Sequence, residues 1–574
     1  MSETTNISPL KRFFSLINVD RQEIISIYIY AMFNGILSLT LPLGIQAIIN
    51  LISGGQVSTS WIILVLFVIA GVGLTGIMQI MQLSISENLQ QKIFTRSAFE
   101  FAYRIPRLKL ESVDKYHIPE LVNRFFDTLS VQKGLSKILM DFSSASLQIV
   151  FGLILLSLYH PFFIIFSMLL IVVAYFIFRL TAPYGLKTSL AESKRKYEVA
   201  HWLEELGRTM ETFKLAGKSP LPMDKTDEVV QDYLGSRKAH FKSLLIQYIN
   251  LIGFKVVIAA GLLVIGGLLV INQQMNIGQF VASEIIIILV LSSVEKLILS
   301  METIYDVLTA IEKIGTVTDI PLERDTGSKS SSLEKSEGVT IHLNNVSYRF
   351  KDSSNNALTN INLKLASGEK VCLSGFGGAG KSLLLQIVAG LYQDFTGSVL
   401  YNSIPLGNWC IEDLRSAIGD SLSREDIFRG TLFENIALNK PNVTIEDVHK
   451  SASVLGLDSY VESLPEGYNT MMMPEGKSLP KSIRLKIMLA RCISGKPQLL
   501  LLGDNFNQLN YSDKQRLLDH IITEKCTVIA VSNNPAVASR FNKVAVLDEG
   551  KLIACDTFNE IQNKEWYNSL YISQ

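Results

Sequence analysis

KVCLSGFGGAGKSLLLQIVAGL, residues 370–391, decides the reading of this chain. An apolar run ends in a glycine-rich loop, and a helix-forming run follows. The spacing is G-x-x-x-x-G-K-S over Gly375, Gly380, Lys381 and Ser382. Across Gly375, Phe376, Gly377, Gly378, Ala379 and Gly380 the backbone can curl so that its N–H groups face phosphate oxygens. The start of the following helix adds a favourable dipole. Lys381 is placed to reach β- and γ-phosphates, and the Ser382 hydroxyl to ligate Mg²⁺. A chance glycine-rich turn is the competing reading. A strand before the loop and a helix after it make nucleotide binding, ATP with Mg²⁺, the expectation.

The surroundings of the loop have the same texture. VTIHLNNVSYRF, INLKL, QLLLLG, CTVIAVS and KVAVLDEGKLIA read as strands, while KSIRLKIMLARCIS and YSDKQRLLDHII read as helices. Alternation of this kind predicts a cytosolic α/β P-loop domain over 339–574. Upstream, LERDTGSKSSSLEKSEG (322–338) is charged, Ser-rich and without apolar period, and reads as a solvated linker.

The first half, 1–321, has a different solvent. Apolar residues make up 48% of the 574-residue chain and charged residues 18%, which leans toward a membrane protein. Six apolar runs, near 24–52, 61–85, 139–159, 161–181, 245–272 and 277–300, reach the roughly 20 residues a bilayer crossing needs. The short connections at 53–60, 159–161 and 272–276 hold no Lys or Arg. The stretch 86–137 holds nine, and 182–243 is equally basic. Basic loops stay in the cytosol, so both termini and both long loops are read as inside. The expected fold is a six-helix transmembrane bundle plus the α/β P-loop domain. The amphipathic long loops should continue the membrane helices into the cytosol and turn near 118–128 and 207–216. Among charges in the spans, Lys255 and Glu295 can pair, Lys296 lies near the inner side, and Glu284 suits a substrate path or a structural hydrogen bond equally.

Other signals are bland. Lys plus Arg and Asp plus Glu both number 53, so net charge points to no partner, and nucleic acid is not indicated. The five cysteines form no Cys-x-x-Cys pair, and no cleavable signal peptide is evident.

The chain resembles the ATP-binding-cassette exporters, in their half-transporter form with six membrane helices fused to one cassette. The resemblance rests on the six-span layout, the phosphate loop and ungapped matches at LRSAIGDSLSREDIFRGTLFENI, LPEGYNTMMMPEGKSLPKSIRLKIMLAR, KPQLLLLGDNFNQLN, CTVIAVSNNP and VLDEGKLIACDT. LDEG in the last is a strand and turn, not Walker B. What the resemblance implies is a protein of the cell membrane, the inner membrane of a bacterium, with its cassette in the cytosol. It would pair with a second half-transporter, as homodimer or heterodimer, to move a substrate of unknown identity. Export is implied over import because membrane and cassette parts share one chain. Without a preceding peptidase domain, cleavage of a leader peptide is not expected.

The same matches imply departures. Phe350 takes the place of the aromatic that stacks on adenine. The Q-loop glutamine aligns with Ser423, too short to reach metal and attacking water. The signature aligns with Leu479, Pro480, Lys481, Ser482 and Ile483, where Pro480 lacks an N–H and Lys481 and Ser482 add side chains at a site of close backbone approach. The Walker B aspartate aligns with Gly503 and the catalytic glutamate with Asp504. A one-residue shift makes Asp504 the Walker B, Mg²⁺-binding residue and puts Asn505 in the glutamate's place. Leu509 keeps its D-loop place in the ungapped version, which is preferred. The D-loop aspartate becomes Asn510, and the switch histidine aligns with Asn533. Asp504 and Asn533 are thus the candidate catalytic residues of a degenerate site. Phosphoryl transfer needs positioning and charge stabilisation; the cradle remains and most of the rest is replaced. The expected function is an exporter half-subunit that binds ATP and hydrolyses it weakly or not at all. The alternatives are an inactive scaffold or regulatory subunit, and a slow ATPase exporting peptide, protein or lipid.

Overall fold

The computed structural model describes residues 8–53, 59–114, 116–328, 338–422 and 427–571. It divides into two compact units, Met1–Pro106 with Lys115–Ile320, and Arg107–Asp114 with Pro321–Gln574.

In the first unit, six helices among the described residues are long and apolar enough to cross a membrane: Arg21–Ser53, Thr59–Arg107, Ile118–Tyr159, Phe162–Arg208, Leu221–Ile271 and Ile277–Thr318. They cover the six runs read from the sequence to within a residue, and all but the first extend well past them. The helix Phe162–Arg208 has 47 residues, about 70 Å at 1.5 Å per residue, more than twice the roughly 30 Å hydrocarbon core. Ile165, Met168 and Leu180 lie exposed along it, as a lipid-facing surface requires. The first span is broken between Ser38 and Thr40. Pro42 has no N–H to offer the Ser38 carbonyl and its ring crowds that position. The hydroxyls of Ser38 and Thr40 instead bond the carbonyls of Gly35 and Leu37, both at 2.7 Å. Lys255 pairs with Glu295 at 2.5 Å, which settles two of the membrane charges.

The second cytosolic turn holds a short helix, Met210–Leu215, where the sequence places it. The first turn starts earlier than expected. Its helical segments are Ile105–Arg107, Leu110–Val113 and Ile118–Asn123, and the stretch 107–114 belongs to the second unit. There one oxygen of the buried Glu111 carboxylate accepts from the backbone N–H groups of Gln393 and Asp394. Arg107 forms an ion pair with Glu412.

Among the described residues the second unit is built on twelve strands: β1 Ile341–Tyr348, β2 Leu358–Leu365, β3 Lys370–Gly375, β4 Thr396–Tyr401, β5 Ile404–Pro405, β6 Ile418–Asp420, β7 Gly430–Thr431, β8 Met471–Met472, β9 Leu499–Leu502, β10 Thr527–Val531, β11 Lys543–Asp548 and β12 Lys551–Asp556. The main sheet runs β12-β11-β3-β10-β9-β6 and a second sheet runs β2-β1-β4-β5. β3 lies between β11 and β10, parallel to both. All residues of β3, β9 and β10 are buried, which explains their unbroken apolar runs. The LDEG stretch is the β11–β12 hairpin, with Glu549 and Gly550 at positive φ. Of the stretch read as a linker, residues 329–337 lie outside the described residues. Glu323 bonds Arg415 through two oxygens at 2.6 and 2.7 Å, and Ser328 bridges Trp409. Residues 323–328 therefore lie against the cassette.

Candidate functional site

Three parallel strands deliver the candidate site at their C-terminal ends, the usual location in an open α/β sheet. Gly375 closes β3, Gly503 follows β9, and Ser532 and Asn533 follow β10. The glycine at 375 is required twice over. Its φ is 152°, and a Cβ there would lie 2.2 Å from the Leu547 carbonyl oxygen. At Gly380, φ is 94° and a Cβ would meet Leu358 at 2.7 Å. Gly377 and Gly378 are exposed, and a Cβ on either would meet nothing within 4 Å. The outer rim of the loop is thus open.

Lys381 opens the helix Lys381–Val388. Its ammonium reaches back across the loop, donating to the carbonyls of Gly375 at 2.6 Å and Phe376 at 2.8 Å. Burial holds its pKa below the usual lysine value, and the negative charge of Asp504 opposes that shift. Ser382, next along the helix, is exposed. A glycine-rich loop with a lysine spanning it and a hydroxyl beside it, at the start of a helix, is the arrangement that receives a triphosphate and its Mg²⁺.

Asn533 is committed elsewhere. Its Oδ1 accepts from the Gly375 N–H at 3.1 Å, and its Nδ2 donates to the Gly375 carbonyl at 2.9 Å. Both ends of one amide grip the first glycine of the loop. Asp504 begins the turn Asp504–Gln508, and one of its carboxylate oxygens accepts from Asn507 Nδ2 at 2.7 Å. Asn507 also donates to the Val531 carbonyl, and its oxygen accepts from the Ser532 hydroxyl. Asn505 donates to the Ser421 carbonyl and accepts from its hydroxyl. That hydroxyl in turn accepts from the Gly503 N–H at 2.9 Å. Sequence reading missed the roles of Ser421 and Asn507. The signal was the run of asparagines in GDNFNQLN, residues 503–510.

Ser423 lies outside the described residues. Phe350 is 38% exposed and meets Tyr348 and Tyr392 edge-on, with centroids 5.1 and 6.1 Å away. Pro480, Lys481 and Ser482 are exposed at the start of the helix Lys481–Ile493. Asn510 caps the helix Tyr511–Thr523, accepting from the Asp513 N–H at 2.8 Å; aspartate and asparagine are equivalent there as caps.

The membrane unit holds a polar cavity of about 640 Å³ lined by Asn34, Gln79, Gln82, Asp141, Gln148 and Lys296 among others. Polar and ionisable side chains at span depth are costly and mark paths for solutes or contacts with a partner.

A six-span bundle and a P-loop cassette on one polypeptide define a nucleotide-dependent membrane transporter. Residues 24–294 match the ABC transporter transmembrane region and residues 358–507 match the ABC transporter cassette. The chain is 27% identical over 384 residues to the alpha-hemolysin translocation ATP-binding protein HlyB of Escherichia coli O157:H7, covering 66% of this chain and 53% of that one. It is 26% identical over 373 residues to the leukotoxin export ATP-binding protein LtxB of Aggregatibacter actinomycetemcomitans, covering 63% and 51%. With YfiB of Bacillus subtilis (strain 168), an uncharacterized ABC transporter ATP-binding protein, identity is 29% over 253 residues, 44% of each chain. The matches thus span about half the length of these relatives. The fold is that of a bacterial Atm1-family ABC exporter solved with ATP bound, at TM-score 0.85 and 16% identity over 96% of this chain and 98% of that one. The chain belongs to the ABC transporters and has the half-transporter layout of the exporters, a multi-pass membrane protein with a cytoplasmic cassette.

Proposed function

We propose that this half-transporter binds ATP with Mg²⁺ through Phe350 and the loop Gly375–Ser382, and turns it over slowly or not at all. The observation that carries the reading is Asn533. In the switch position stands an amide whose donor and acceptor are both spent on Gly375. An amide cannot relay a proton, and this one is also a strut. Gly503 brings no carboxylate, and Asp504 has the shorter of the two acidic side chains. Ser382 and, in the shifted register, Asp504 are the residues that would hold Mg²⁺, which would neutralise charge on the β- and γ-phosphates. ATP then acts as a ligand that orders the cassettes and stabilises the bound form by mass action.

Half-transporters of this layout sit in a bilayer and dimerise, each composite site using the loop of one subunit and the signature of the other. With an intact second half-transporter, this chain would weaken both sites: one lacks its base and the other its signature. A homodimer would hold two such sites. The polar cavity with Asp141 and Lys296 supports a cargo carrying polar and charged groups. The names of two relatives, for hemolysin translocation and leukotoxin export, support a polypeptide cargo. A slow ATPase working through Asp504 is the second reading, favoured by the negative charge which that carboxylate brings to bear on Lys381.

The test is nucleotide binding and phosphate release by the full chain in lipid nanodiscs. Binding should be retained by the wild type. Lys381→Ala should weaken it by about ten- to a hundredfold, the worth of one lost charged hydrogen bond of about 1.5–3 kcal/mol. Phosphate release should stay near background in both. Fast turnover that Lys381→Ala abolishes overturns the proposal.

A further inference from the structure

Two His-x-x-Glu stretches in the membrane unit, HIPE at 117–120 and HWLE at 201–204, face each other crosswise. His117 directly precedes the helix Ile118–Asn123, which carries Glu120. His201 and Glu204 lie three residues apart near the end of the helix Phe162–Arg208, and so share one face. His117 Nδ1 is 3.8 Å from Glu204 Oε2, and His201 Nδ1 is 3.9 Å from Glu120 Oε2. Ligand atoms of His117, His201 and Glu204 all lie within 4.8 Å of one another.

Two features separate this cluster from a pair of ordinary ion pairs. His117 Nδ1 and Glu204 Oε2 are buried atoms without a hydrogen-bond partner, and an unmet buried polar group costs about 1–3 kcal/mol. The other Glu204 oxygen accepts from Asn123 Nδ2. That bond leaves Oε2 aimed at the imidazoles, in the way an outer partner orients a metal-bound carboxylate. Two imidazoles with carboxylate oxygen are a donor set for zinc-like ions. Metal–ligand distances of about 2.0–2.1 Å in a tetrahedron place ligand atoms roughly 3.4 Å apart. Closing from the present separations takes about an ångström of side-chain rotation, and His201 is exposed.

We propose that His117, His201 and Glu204, with Glu120 as a fourth donor, bind a divalent transition-metal ion of the zinc and cobalt class. The ion clasps the first cytosolic turn to the cytosolic end of the fourth span. Two carboxylates and two imidazoles make up the donor set, and the other Glu120 oxygen accepts from Arg124 at 3.1 Å.

The test is cobalt titration of the chelator-treated full chain in detergent, read by visible absorption and checked by zinc competition. One equivalent with the spectrum of a tetrahedral nitrogen–oxygen site is expected. His117→Ala and His201→Ala should each abolish it. Asn123→Ala should weaken it about 10–100-fold, because it removes only the orienting bond. Unchanged elution and ATP binding by the variants would show that they fold. A thiolate charge-transfer band, a signal that survives loss of both histidines, or no stoichiometric binding overturns the proposal.

Discussion

Asn533→Ala tests how far the phosphate loop depends on its amide strut. In the wild type, Asn533 gives and receives one hydrogen bond with Gly375, at 2.9 and 3.1 Å. The alanine leaves the Gly375 carbonyl with its Lys381 contact but orphans a buried N–H. Such an orphan costs about 1–3 kcal/mol. At roughly 2–4 °C per kcal/mol for a domain near this size, the cassette transition should fall by about 2–12 °C. The assay is thermal unfolding of the full chain in detergent, with ATP affinity measured alongside. Two further substitutions separate strut from catalyst. Asn533→Asp keeps an acceptor for the Gly375 N–H but sets its second oxygen against the Gly375 carbonyl and adds negative charge where phosphate must bind. It should lose more ATP affinity than the alanine variant. Asn533→His restores an ionisable ring but cannot donate and accept along one edge. It should lose stability like the alanine and gain no turnover. A transition shifted by less than about 1 °C in Asn533→Ala, or a rise in hydrolysis from Asn533→His alone, refutes the reasoning.

Restoring acids at the position proposed for Walker B takes only a small local shift. Gly503 has φ −68°, and a Cβ there would meet Ser421 O at 3.3 Å, a contact relieved by a few tenths of an ångström. Gly503→Asp with Asp504→Glu should therefore fold. It should raise phosphate release by less than about tenfold, because catalytic groups act as a unit; a rise on the order of a hundredfold would mean the acids alone were missing. Glu111→Ala removes the acceptor shared by two backbone N–H groups, so hydrogen exchange at Gln393 and Asp394 should accelerate in the full chain; unchanged protection would contradict that capping role. His520 has its pKa held below the usual 6.5 by burial, then by Lys450, with Glu524 opposing. Its neutral form supports the fold above pH 6.5, and that support is lost as pH falls below it. His520→Gln should flatten this part of the stability profile, and an identical acid slope in both proteins would exclude His520 as its source.

The parts of this chain legible in sequence are those whose physics is local. Six apolar runs announce spans because the bilayer sets a length; the break before Pro42 in the first was not read from the sequence. The glycine spacing at 375–380 announces a loop because three of its glycines, Gly375, Gly378 and Gly380, occupy backbone conformations that other residues rarely adopt. Features made across the fold were not legible. Asn533 and Gly375 are 158 positions apart, and Glu111 and Gln393 are 282 apart. The four-residue helix Leu110–Val113 has no period from which to read the unit it joins. Likewise HIPE and HWLE are plain text in the sequence, and only the crossing of their elements makes them a cluster.

Asparagines recur at the ends of the parallel strands, and their chemistry argues for a site built to hold rather than to react. Asn533 grips Gly375, Asn505 grips Ser421, Asn507 ties Asp504 to Val531 and Ser532, and Asn510 caps a helix. The amides of Asn533, Asn505 and Asn507 both donate and accept, so each closes a local network that a carboxylate or imidazole would leave half open. On the proposed reading the same amides also leave hydrolysis without a base. A general base must have a free lone pair within reach of the attacking water and a pKa that lets it take the proton. Amides that are already bonded offer neither. Lys381 is the contrasting case: its two bonds run to carbonyls of its own loop, and a phosphate can replace both without disturbing the struts. The loop can exchange internal partners for a ligand while the groups around it stay fixed, which is the behaviour of a binding site.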